Sequence, residues 1–206
     1  MEIIAAVGRT MGFSFAAGIN LYATVAILGL ASRYNWVALP EQFRAFDNDL
    51  VIGAAIVLYI VEFVADKIPW FDSLWDAVHT AIRPVGGAVI AVTTLGDASP
   101  TTEALVGLLG GTLAAGSHFS KSGTRALANT SPEPFSNWIL SLAEDVFVVG
   151  LGFIALKYPV AAALVVAIAV VLILMFITWI VRGIRRRWSG SFAAAESSKL
   201  QTKTSG

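Results

Sequence analysis

Asp72, Asp76, His79 and Arg83 follow one another at spacings of four, three and four residues. At about 100° per residue, that spacing sets all four on one stripe of a helix. Carboxylates, an imidazole and a guanidinium on one line can bind a cation, relay protons or pair with one another. Glu62 and Asp66 stand four apart just upstream. Downstream come His118, Lys121 and Arg125, and then Asn137, Glu144 and Asp145. The last two acids are adjacent, so about 100° of helix separates them and they cannot share one direction. Such charges are ordinary in a soluble protein. Here they lead into apolar segments, where ionisable groups are costly and mark a site by default.

The elements that must position them are apolar. Of 206 residues, 56% are hydrophobic and only 14% charged, where a soluble domain carries about 25% charge. Mean hydropathy is +0.73. The composition predicts an all-α, polytopic transmembrane helix bundle over residues 1–188, followed by a disordered cytoplasmic tail over 189–206. Formal net charge is zero, which gives nucleic acid no electrostatic footprint. The absence of cysteine excludes disulfides, thiolate metal sites and a cysteine nucleophile. A cleaved leader is not expected, because Gly12, Ser14, Gly18 and Asn20 make a poor apolar region.

About six apolar segments are legible, near 8–32, 50–67, 70–96, 102–119, 135–157 and 159–181. The first carries a small-residue ridge at Gly8, Gly12 and Ala16, which suits close helix approach. Asn20 falls near its middle. An unbroken crossing helix with one inter-helix hydrogen bond outweighs a broken helix there. The loop 33–49 offers Trp36 and Phe43 as interfacial anchors. The third segment reaches about 40 Å at 1.5 Å per residue, so its first turns lie at the headgroups.

Lysine and arginine counts predict orientation. With six crossings, Arg9, Lys67, Arg83, Lys121, Arg125, Arg182, Arg185, Arg186 and Arg187 share one side, against Arg33, Arg44 and Lys157 on the other. Nine against three predicts both termini inside. A shift of 65 residues sets Pro69 on Pro134, Asp72 on Asn137, Asp76 on Ser141, His79 on Glu144 and Gly87 on Gly152. That suggests a parallel internal repeat, with a weaker inverted rival at a shift of 98.

Several chemistries suit this set. Asp76, His79 and Glu144 supply ligand types for a divalent cation, without any established metal spacing. Arg83, Lys121 and Arg125 could clamp a phosphate, although positive-inside topology explains three cations there as well. Glu144 and Asp145 near a histidine are ingredients of a proton relay. Mutual pairing of the charges is the reading to beat.

The stretches GFSFAAGINLYATVAILGL, IPWFDSLWDAVHTAIRPVGGA and KSGTRALANTSPEPFSN, with the later EDV, resemble the bacterial integral membrane family called domain of unknown function 4126. The resemblance covers about residues 8–182. It implies a multispan protein of the bacterial inner membrane and adds no catalytic residue. The first functional expectation is therefore a small-solute or ion transporter or channel, partnered by the bilayer and by further copies of itself. Its cytoplasmic-side cavity would be lined by Glu62, Asp66, Asp72, Asp76, His79, Arg83, His118, Lys121, Arg125, Asn137, Glu144 and Asp145. The alternatives are a metal-dependent enzyme acting on a lipid phosphate and a scaffold with an inert charge network.

Overall fold

Proline and glycine punctuate the chain where the helices change. The computed structural model describes the backbone of residues 2–130 and 134–204 and the side chains of 3–130, 135–182 and 185. Its helices are α1 (Glu2–Ile19), α2 (Leu21–Arg33), α3 (Asp49–Ala65), α4 (Pro69–Leu95), α5 (Pro100–Ala128), α6 (Pro134–Lys157) and α7 (Pro159–Thr204), with a 3-10 turn at Glu41–Phe46. Among the described residues there is no strand. Helices α4 to α7 each begin at a proline, which fits the first helical position because its missing N–H would have no partner there. Ser99 caps α5 through the Thr102 amide at 3.2 Å, and Asn48 caps α3. Gly96, at φ 83°, ends α4 in a conformation that favours glycine.

Three helices are long and apolar enough to cross a membrane: Pro69–Leu95, Phe135–Lys157 and Pro159–Arg182. Ile3–Ile19 and Leu21–Arg33 are shorter apolar helices. The chain divides into two compact units, Met1–Ala167 and Ile168–Gly206. The first holds the bundle. The second is the remainder of α7, helical to Thr204. The expectation of a disordered tail over 189–206 rests on composition alone.

The first apolar segment departs from expectation. It is not one crossing helix: α1 stops at Ile19, and Asn20 turns extended at φ −145° and caps α2 through the Ala23 amide at 2.9 Å. The two helices then run in opposite directions. Along α1, Phe15 meets Phe147, Gly12 meets Ala155 and Gly8 meets Pro159. Along α2 the order reverses, from Asn20 at Asp145 to Ile27 at Gly152. So α1 and α2 form a helical hairpin with its tip at Asn20. Arg33 ties the open end to the start of α3, its Nε 2.8 Å from Asp47 and its Nη1 2.6 Å from Asp49. A hydropathy profile cannot see this return, because it reads apolarity and not direction.

Two smaller corrections follow. Phe43 is fully buried against Phe13, with ring centres 6.3 Å apart, so it is no interfacial anchor. The polar end of the fourth apolar segment stays helical to Ala128. The core contact is α4 against α5. A Cβ built on Gly87 would collide with Ala114, and one on Gly110 with Ala91. Small residues let these two backbones approach closely.

Candidate functional site

The charged residues converge because four helices turn their polar stripes inward. α3 brings Glu62 and, at its C-cap, Asp66, α4 brings Asp72, Asp76, His79 and Arg83, α5 brings His118, Lys121 and Arg125, and α6 brings Asn137, Glu144 and Asp145. All but Glu144 are buried, and its side chain is only 13% exposed. The hairpin tip supplies a fifth wall.

Eight of them form one ion-pair network. Arg83 donates to Glu62 Oε1 at 2.8 Å and lies 3.2 Å from Asp76 Oδ1. Lys121 Nζ reaches Glu62 and Asp66, both at 3.1 Å. Arg125 bridges Asp66 and Glu144, each at 2.8 Å. Asp72 sits at the edge, 3.9 Å from Arg125, and accepts from Asn129 Nδ2 at 2.8 Å. Asn137 donates in turn to Asn129 Oδ1. The end of α1 joins as well. Its Gly18 carbonyl accepts from Arg83 at 3.4 Å and its Ile19 carbonyl from Lys121 at 3.2 Å. Carbonyls at a helix C-terminus lack intrahelical partners and carry partial negative charge, so the break itself helps hold the cations.

Hydrogen bonding assigns His118 as neutral. A guanidinium only donates, so His118 Nδ1 accepts from Arg83 at 2.7 Å, and the His118 proton lies on Nε2, toward Thr80 Oγ1 at 3.1 Å. A carbonyl only accepts, so His79 Nδ1 donates to Trp75 O at 2.7 Å, and His79 Nε2 is hydrogen-bonded with Tyr22 Oη at 2.8 Å. Trp75 stacks on the His79 ring at 4.5 Å.

The interior charge does not balance. Six acids (Glu62, Asp66, Asp72, Asp76, Glu144 and Asp145) face three buried cations (Arg83, Lys121 and Arg125), and the half-buried Lys67, which reaches Ser141 and acts electrostatically on Asp145 and Asp66, makes a fourth. Glu62 Oε2, Asp66 Oδ1, Asp72 Oδ1, Asp76 Oδ1 and Asp145 Oδ2 are buried without a hydrogen-bond partner. Asp145 is the extreme case. Among the described residues no cation lies within 4.0 Å of it, and its Oδ1 takes only Asn20 Nδ2 at 3.2 Å. Its neighbour Glu144 points instead to Arg125. Lys67 lies in the turn after α3, over the Phe63 ring at 3.1 Å, and burial draws its ammonium below the ordinary range.

A cavity of about 240 Å³ between α4 and α5 reaches Asp72, Asp76, Thr80, Arg125 and Asn129. The metal set does not assemble. Among the described residues, no three His, Asp or Glu side chains group as ligands. Asp76 turns to Arg83, Glu144 to Arg125, and His79 uses both ring nitrogens. Asn20, Tyr22, Thr80 and Asn129 belong to the site and were missing from its expected lining. An asparagine heading a helical pattern is a cap signal, and it could have flagged Asn20.

An all-helical bundle with three long apolar helices and a charged interior is compatible with an integral membrane protein. The chain belongs to the family described as domain of unknown function DUF4126, whose model matches residues 7–179. No curated protein and no solved structure matches it.

Proposed function

We propose that the protein is a bacterial membrane transporter or channel for a small cation, in the first place the proton, and that the network around the hairpin tip is its translocation site. One observation carries this reading: Asp145, 6% exposed, is held at the tip by Asn20 and makes no ion pair within 4.0 Å among the described residues. An uncompensated carboxylate in a membrane interior costs several kcal/mol. Each excess acid must therefore carry a proton or a bound cation. A discontinuous helix whose ends meet buried charges is a recurrent design for ion sites in transporters.

The topology supporting this reading has α1–α2 as a re-entrant hairpin and α3 to α7 as crossings. The basic run after Arg182 marks the cytoplasmic end of the chain. Counting crossings back from it sets the N-terminus outside and the Asp72–Asn129 end of the bundle at the cytoplasmic face. This replaces the six-crossing, N-inside expectation.

An anion clamp finds less support. Arg125 donates through Nε, Nη1 and Nη2 to Glu144 and Asp66, and Lys121 is held by Glu62, Asp66 and Ile19 O. Neither is free to hold a phosphate, which also weakens the lipid-phosphate enzyme.

The test is proton uptake into liposomes that carry the purified chain and an entrapped pH-sensitive dye, driven by a potassium diffusion potential. The native chain should acidify the lumen. Asp145→Asn, which keeps the shape of the neutral acid, should lower the rate at least tenfold with no loss of thermal stability. Asp97→Asn, in the exposed turn before α5, serves as control. Tracer sodium in parallel separates the two ions. A folded native chain that passes neither ion would leave the inert network as the reading.

A further inference from the structure

At the other end of α4 lies a second cavity, of about 780 Å³, between the first turns of α1, the segment 38–42 and Leu95. Its walls include Ile3, Ala6, Val7, Leu39 and Pro40. Among the described residues one charged side chain lines it, Arg9, and no acid does. Among the described residues no carboxylate lies within 4.0 Å of Arg9, and its Nε is buried without a hydrogen-bond partner. The contrast with the network is direct, since Arg83 and Arg125 each meet two acids or more. Thr94, on the same wall, already bonds Thr10 and the Ala91 carbonyl. Gln42 supplies a further neutral amide.

A guanidinium beside apolar walls, with an unmatched N–H, calls for an anion. The apolar remainder says what the anion is attached to. A phosphate fills a small part of this volume, and the rest suits hydrocarbon. Ile3, Ile4 and Val7 are 80%, 59% and 47% exposed, so apolar surface continues outward from the cavity along α1. We infer that this cavity binds an acidic phospholipid, its phosphate on Arg9 and a chain along the Ile3–Val7 face. A guanidinium fits a phosphate through two parallel donors.

The experiment measures thermal stabilisation of the full chain in neutral detergent, titrated with phosphatidylglycerol, phosphatidylcholine or inorganic phosphate. Phosphatidylglycerol should raise the melting temperature by mass action, and the other two should not. Arg9→Gln should raise the half-maximal lipid concentration about fivefold, since one cation near a lipid surface is worth roughly 1 kcal/mol. Arg9→Lys should keep part of the response. Gln42→Glu, which sets a carboxylate in the same cavity, should weaken lipid binding without removing Arg9. Arg44→Gln, at an exposed arginine paired with Glu41, should change nothing. An unchanged lipid response in Arg9→Gln and Gln42→Glu, or equal responses to the two lipids, would overturn the assignment. A full response to inorganic phosphate would make this a free-anion site instead.

Discussion

Arg83 shows how strongly the charges depend on one another. It is fully buried and touches Glu62, Asp76, His118 and the end of α1 at once. Removing it alone leaves Asp76 without an ion-pair partner and takes from Glu62 one of its two cations, and breaking a buried pair costs about 3–5 kcal/mol. Arg83→Gln should therefore destabilise by that order in a denaturation assay. Adding Asp76→Asn should restore part of the loss, because the stranded acid is then neutral. A double-mutant cycle that shows simple additivity would mean the two do not interact. At Asp145 the sign is opposite. That acid makes no ion pair within 4.0 Å among the described residues, so Asp145→Asn should leave stability unchanged or raise it. The sequence placed Glu144 and Asp145 in different directions. It did not say which one would be left without an ion pair.

At the scale of elements, the hairpin and the α4–α5 contact set the geometry of the site. Asn20→Ala removes both the cap of α2 and the bond to Asp145. A lost cap costs about 1 kcal/mol, and proton flux should fall more than that stability change explains. Gly87→Val should be far more damaging than Gly116→Ala. At Gly87 even a Cβ meets Ala114, while at Gly116 nothing lies within 4 Å. Comparison of the two melting temperatures checks this. Expected and observed bounds of α4 nearly coincide, 70–96 against Pro69–Leu95, because a proline and a glycine mark its ends locally. The 8–32 segment was misread for the converse reason. Asn20 can serve either as an inter-helix bond inside an intact helix or as a cap that breaks one. The choice depends on partners far along the chain.

For the whole molecule, the cysteine-free sequence permits a direct test of topology. Single cysteines at the exposed positions Ile3, Glu41, Asp97 and Thr130 can be labelled in intact vesicles with an impermeant thiol reagent. With a re-entrant hairpin, Ile3→Cys reacts from the same side as Glu41→Cys and Asp97→Cys, and Thr130→Cys from the opposite side. With six crossings, Ile3→Cys would react together with Thr130→Cys. By itself the sequence determined an all-helical, apolar chain, most helix boundaries and the inward stripe on α4. These follow from composition, caps and the 3.6-residue period, which act between residues a few positions apart. Only the tertiary structure decided that α2 turns back, that Arg125 joins Asp66 to Glu144, and that Asn20 meets Asp145 across 125 residues. Those outcomes depend on which helices pack together, and local periodicity carries no information about that choice.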